Sequence, residues 1–252
     1  MAESREILIW GIHPILEILH NGPEQVEEIS IQQSGAAKKL QTIISLAEKQ
    51  RIKISSVTKI TIPGEANPNH QGVLARIKGH QTVDLNELLK EQPTLVVALD
   101  SISDPHNLGA IIRSAAAAKA IAILIPKDRA AQITGTVVKV AAGALAHIKI
   151  CRVTNLSDSL RTLKDSGYWI FGAAGEGQQT IYEADFSDPT CLVIGSEGKG
   201  IRKLVRKQCD FLVKIPMARK INSLNASVAA GIILFEIARQ KEMIRKQTMI
   251  SR

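Results

Sequence analysis

The sequence predicts an α/β protein built in two parts. Short apolar runs alternate with helical stretches along nearly the whole chain, the pattern of layered strand-and-helix architectures. The runs of the second half are apolar almost throughout, as strands buried on both faces of a parallel sheet are. Between the two halves lies GHQTVDLNELLKEQP, a polar, net-acidic stretch with a short helical repeat of leucines. It reads as a linker. The boundaries drawn from this are a small front domain over 1–78, a linker over 79–92 and a larger domain over 93–252.

In the front part, WGIHPILEILHNG is a short helix closed by Asn21-Gly22. EISIQQ is a strand, AAKKLQTIISLAEKQ an amphipathic helix, and KISSV and QGVLARIKG two further strands. From Thr94 the alternation strengthens. TLVVALD, AIAILIP, IKICRV, YWIFGAA, CLVIG and FLVKIP read as strands. NLGAIIRSAAAAKA, TGTVVKVAAGA, SDSLRTLKDSG and IRKLVRKQ read as the helices between them. The chain closes on NASVAAGIILFEIARQKEMIRKQ, a long helix that is apolar on one side until its basic tail.

Composition narrows the function classes. The chain has 252 residues, 45% hydrophobic and 22% charged, ordinary values for a globular protein. Its longest apolar stretches stop at Lys127 and Glu236, short of the roughly 20 residues a membrane helix needs. The opening MAESREILIW has no signal-peptide pattern. Cys151, Cys191 and Cys209 lack any CxxC or Cys/His ligand spacing, which predicts reduced thiols in a cytoplasmic protein and no bound metal. Charge is uneven. Residues 93–252 hold 22 Lys/Arg against 13 Asp/Glu, whereas residues 1–78 hold 9 against 8. Such a basic half suits a polyanionic partner, although a solubilising surface has the same composition. Aromatics at 3% argue against a sheet that reads RNA mainly by base stacking.

Three stretches carry candidate chemistry. DPHNLGAIIRSAAAA follows the first strand of the second half; Asn107 can cap the next helix, and Arg113 lies six residues on. CLVIGSEGKGI places Gly195, Gly198 and Gly200 between a strand and a helix, where backbone can approach a ligand closely. It is neither a dinucleotide fingerprint nor a phosphate-binding loop, and Glu197 in its middle would repel a phosphate. The ligand expected there is met through backbone, adenine or ribose. In IPMARKINSLNASVAAG, residues Ser223, Asn225 and Ser227 lead into the last helix and are candidate caps.

In this order and spacing, DPHNLGA with Arg113, IGSEGKG, and IPM…SLNAS resemble the three signature motifs of the SpoU (TrmH) family of RNA ribose 2′-O-methyltransferases. WGIHPILEIL and HQGVLA resemble the front substrate-binding domain of the subgroup that methylates a guanosine ribose in large-subunit (23S) rRNA. The resemblance implies the SPOUT fold, a parallel sheet whose C-terminal part forms a deep trefoil knot, and a homodimer. It implies S-adenosylmethionine as methyl donor, with no metal, and RNA as partner rather than DNA or membrane. The donor-binding positions it assigns are Gly195, Ser196, Glu197, Gly198, Gly200, Ile215, Met217 and Leu224. Its catalytic positions are Asn107, Arg113, Glu197, Ser223 and Asn225. The chain departs from the family's habit at Lys119, where glycine commonly ends the first helix, and at Ala226, where valine is usual. Two alternatives remain at this level: methylation of a tRNA ribose, and a module of the same fold that binds RNA without reacting.

Overall fold

A computed structural model of the chain describes residues 7–33, 38–63, 68–77, 82–218 and 223–250. These fall into two compact units divided at Gln81/Thr82, with Gln132–Ala146 of the second half belonging to the first unit.

The first unit runs β1 (Ile7–Trp10), α1 (Ile12–Asn21), β2 (Val26–Gln32), α2 (Lys38–Lys49), β3 (Lys53–Val57) and β4 (Val73–Ile77). Its sheet has the order β1-β4-β2-β3, antiparallel at both β4 pairings and parallel between β2 and β3. Ile9, Ile15, Leu19, Ile29, Ile43 and Val73 fill the core. Gly11, at φ 95, lets the chain turn from β1 into α1, and the amide of Ile12 donates to Gln71 Oε1 at 3.0 Å.

The second unit begins inside the expected linker. Residues 79–81 of that stretch lie outside the described residues, but Thr82 bridges to Ile150 and the Val83 amide donates to the Ile150 carbonyl at 2.9 Å. Then come α3 (Leu85–Lys90), β5 (Leu95–Asp100), α4 (Pro105–Ala117) and β6 (Ala122–Pro126). The next helix, α5 (Gly135–Ala141), packs on β1 of the first unit. A Cβ on Gly135 would lie 1.9 Å from the Leu8 carbonyl oxygen, so only glycine fits there. The remainder is β7 (Lys149–Val153), α6 (Leu156–Asp165), β8 (Trp169–Ala173), β9 (Gln179–Thr180), β10 (Thr190–Gly195), α7 (Lys203–Arg206), β11 (Phe211–Lys214) and α8 (Ala226–Ile250).

All seven strands of this unit are parallel, in the order β7-β6-β5-β10-β8-β11-β9. Every residue of β5 is buried, as its uninterrupted apolar run requires. The six expected strands are all present; β9, two residues long, has no apolar run to announce it. In an open parallel sheet, ligands bind beyond the carboxyl ends of the strands. The carboxyl ends of the central neighbours β5 and β10 carry the first and second motifs.

Candidate active site

At the end of β5 the chain reverses through Ser101, a non-glycine residue at φ 63. Asp104 then caps α4, accepting from the His106 amide at 3.0 Å, and Pro105 takes the first helical position, where its missing N–H costs nothing. The capping reading of Asn107 is therefore corrected. Another residue does that work, and Asn107 is buried with its side chain turned to the start of α8.

There it meets Asn225, whose Nδ2 donates to Asn107 Oδ1 at 2.9 Å. The same Nδ2 donates to Glu197 Oε1, and the Ala226 amide reaches that carboxylate oxygen at 3.4 Å. Asn225 Oδ1 caps α8, accepting from the Ser227 amide at 2.9 Å and the Val228 amide at 3.3 Å. Because those two amides can only donate, the capping atom must be the oxygen, which fixes Nδ2 toward Asn107 and Glu197. Asn225 thus is the expected cap and also the joint of all three motifs.

The glycine loop folds back on itself. The Ser196 amide donates to the Gly200 carbonyl at 3.2 Å and the Gly200 amide to the Ser196 carbonyl at 2.9 Å. Gly198 and Gly200 have φ of 78° and 63°, left-handed values that favour glycine. Gly195 has a different need. A Cβ there would lie 2.2 Å from the Gly200 carbonyl carbon, so a side chain would collide with the loop's own return rather than fill the space of a ligand.

Beside this loop lies a cavity of about 490 Å³, within the range of roughly 300–1,000 Å³ common to small-molecule sites. All eight expected donor-binding residues line it: Gly195, Ser196, Glu197, Gly198 and Gly200 from the loop, with Ile215, Met217 and Leu224 opposite. Ser223 lines it as well. Asn107 and Asn225 adjoin it through Glu197. Arg113 does not line it: six positions along a helix turn about 240°, and Arg113 is exposed on α4 where Asn107 is buried.

One wall was not anticipated. Ala173, which ends β8, and Ala174, Gly175 and Glu176 after it border the cavity together with Arg206 and Lys214. Glu176 pairs with Arg206. A bond to its own main chain, and then Arg206, hold its carboxyl below the usual carboxylate range. The signal was present in GAAGEG, a second small-residue turn after a strand. Asp100 was missed too. It is fully buried, and Oδ2 accepts from the Arg202 amide at 2.7 Å while Oδ1 accepts from Arg202 Nε at 2.6 Å.

Among the described residues no group of three or more His, Cys, Asp or Glu could hold a metal ion, and no helix is long and apolar enough to cross a membrane.

Comparison with known proteins gives the family. Residues 94–235 match the SpoU rRNA Methylase family, and residues 8–83 match the family described as RNA 2'-O ribose methyltransferase substrate binding. The chain is 41% identical over 242 residues to the 23S rRNA (guanosine-2'-O-)-methyltransferase RlmB of Pseudomonas putida, covering 94% of this chain and 98% of that one. It is 43% identical over 240 residues to the enzyme of the same name from Haemophilus influenzae, covering 92% and 97%. The SpoU methyltransferase AviRb from Streptomyces viridochromogenes, solved in complex with AdoMet, superposes with a TM-score of 0.74 at 27% identity, covering 94% and 91%. With its three motif loops joined at Asn225 and both halves matched, the chain belongs to the SpoU rRNA methylase family.

Proposed function

We propose that this protein transfers a methyl group from S-adenosylmethionine to the ribose 2′-oxygen of a guanosine in 23S rRNA. The observation that carries the reading is the junction of Asn107, Glu197 and Asn225 at the edge of the glycine-loop cavity. Relatives named for this reaction align over more than nine-tenths of both chains.

The cavity suits the donor by its chemistry. Backbone of Gly195–Gly200 offers amides and carbonyls to polar groups, Ile215 and Leu224 offer apolar contact, and two carboxylates, Glu176 and Glu197, suit a positively charged sulfonium better than a phosphate. When bound, S-adenosylmethionine supplies an electrophilic methyl on that sulfonium. The chain's own task is to place a 2′-oxygen in line with it and to stabilise negative charge as the hydroxyl loses its proton. Asn107 orients the oxygen, and Asn225, its own amide committed to Asn107 and Glu197, holds that side chain in place. Ser223 stands at the cavity wall beside the incoming ribose. Arg113 lies outside the cavity wall, and from there its exposed guanidinium is assigned to the developing charge or to the adjacent phosphate of the bound ribose, as a charged donor.

A 2′-hydroxyl target requires RNA, because DNA lacks that group. The domain over 93–252, with its basic excess, grips the backbone, and the near-neutral domain over 1–78 selects the rRNA segment. The protein works in the cytoplasm, where Cys151, Cys191 and Cys209 remain free thiols. It acts as a homodimer. Val228, Ile232 and Phe235 lie exposed at helical spacing on α8, forming an apolar stripe that a second copy would cover. Phe235→Glu should shift the mass in solution from dimer to monomer, and an unchanged mass would remove that face from the interface.

Purified protein given donor with a labelled methyl group tests the reaction itself. Label should pass to 23S rRNA transcripts and resist alkaline cleavage at one guanosine. No transfer to any RNA would overturn the proposal, and transfer to tRNA alone would move the substrate to that class.

A further inference from the structure

The buried carboxylate at the end of β5 has no part in the chemistry above, yet it is bonded at the base of the loop that does. Asp100 is fully buried, and both of its oxygens are engaged. Oδ2 accepts from the main-chain amide of Arg202, and Oδ1 accepts from Arg202 Nε and, at 3.3 Å, from the Ser101 hydroxyl. Charge-assisted bonds of this length are the strong class of protein hydrogen bonds. In the register of β5 and β10, Asp100 also stands directly opposite Gly195. One residue therefore meets the glycine loop at both ends: its entry through the sheet at Gly195, its exit through Arg202.

Between those ends the loop is closed by the two Ser196–Gly200 bonds, and Gly195 leaves no room for a Cβ against residues 200 and 201. A loop braced in this way moves as a single piece. Its tip is Glu197, which reaches Asn225 and the Ala226 amide. Displacement at the Arg202 base is thus passed to the carboxylate at the tip.

We infer that Asp100 is a positioning residue for methyl transfer, gripping Arg202 so that the glycine loop holds its donor-facing backbone and Glu197 in place. The inference rests on the methyl-transfer reading of the cavity. Asp100→Asn keeps an acceptor for one bond but presents an amide to the second donor of Arg202. Arg202→Lys keeps the charge and the main-chain bond and loses only Nε; because that side chain is half-exposed, it leaves the core intact.

Both variants are tested at a temperature where circular dichroism shows them folded. In donor-free protein, hydrogen exchange of a peptide covering 195–202 should quicken in both, more in Asp100→Asn, while a peptide from β5 and one from α6 stay at the wild-type rate. Calorimetry should show the S-adenosylmethionine Kd raised about tenfold or more in Asp100→Asn, the size expected for loss of a charged hydrogen bond, and raised less in Arg202→Lys. Lower melting temperatures with unchanged loop exchange and unchanged Kd would make the pair a stability element and overturn the inference. If wild-type protein bound no donor, the methyl-transfer reading would fall, and the grip on the loop would still be decided by the exchange rates.

Discussion

Arg113 and Asn107 leave α4 on different faces, and their surroundings set what each can do. Asn107 is buried and committed to Asn225, whereas Arg113 is exposed and makes no ion pair among the described residues. An exposed arginine with only a surface role contributes about 1 kcal/mol or less to stability and little to turnover. Arg113→Ala should instead leave the fold and donor binding intact while cutting single-turnover methyl transfer by roughly a hundredfold or more, as loss of a charge donor to a transition state does. Arg113→Lys should recover little, since the ammonium lacks the planar fork. Near wild-type transfer in Arg113→Ala would take it out of the reaction. At this scale the residue types were legible in the sequence, but their partners were not. Nothing along the chain pairs position 107 with position 225, because 118 residues of sheet and helix separate them. Asp100 closes the apolar run TLVVALD, and nothing beside it along the chain announces its contact with Arg202, 102 positions on.

Among the elements, α4 brings Asn107 to the site, so its start must be held by something else. Asp104 does this, and Asp104→Ala should cost about 1 kcal/mol, a fall in melting temperature of roughly 2–4 °C for a chain of this size. Asp104→Asn should lose almost nothing. If Asp104→Ala melted with the wild type, the cap would contribute nothing to stability. The other end of α4 shows why glycine is usual where Lys119 stands. Lys119 adopts φ 64 and the Ala120 amide bonds back to the Ala115 carbonyl at 2.9 Å, a left-handed helix ending that normally takes glycine. Strands and long helices were legible because burial imposes a period on the sequence. The helix α3 showed only as a few leucines in a polar stretch, and its packing against β7 comes from tertiary contact. The expectation of a knot came from the resemblance alone, since no local pattern encodes how a chain threads.

For the molecule as a whole, titration sets a stability window. Burial pushes the Cys151 thiol up to about 11 and the Cys209 thiol up to about 12 from 9.0, and it pushes the Tyr168 phenol up to about 12 from 10.0. These groups stay protonated longer in the folded chain, so their contribution is complete below about pH 9 and is lost as pH rises through the folded values. Glu28, bonded first to Lys53, and Glu236, bonded first to Arg239, are lowered from 4.5. Their contribution is present above that value and is lost as pH falls through the lowered ones. Melting temperature should therefore be flat from about pH 5 to 9 and fall on both sides; a curve still rising above pH 9 would contradict the buried, neutral thiols. The assignment of Gln132–Ala146 to the first unit was beyond the sequence, because TGTVVKVAAGA reads as a helix whichever sheet it serves. A ribose-methylation map of 23S rRNA and tRNA decides the substrate. The map compares cells that lack this protein with cells in which it is restored. One guanosine of 23S rRNA should lose its 2′-O-methyl and regain it on restoration, with every tRNA position unchanged; an unaltered 23S map, or a loss confined to tRNA, would contradict the account.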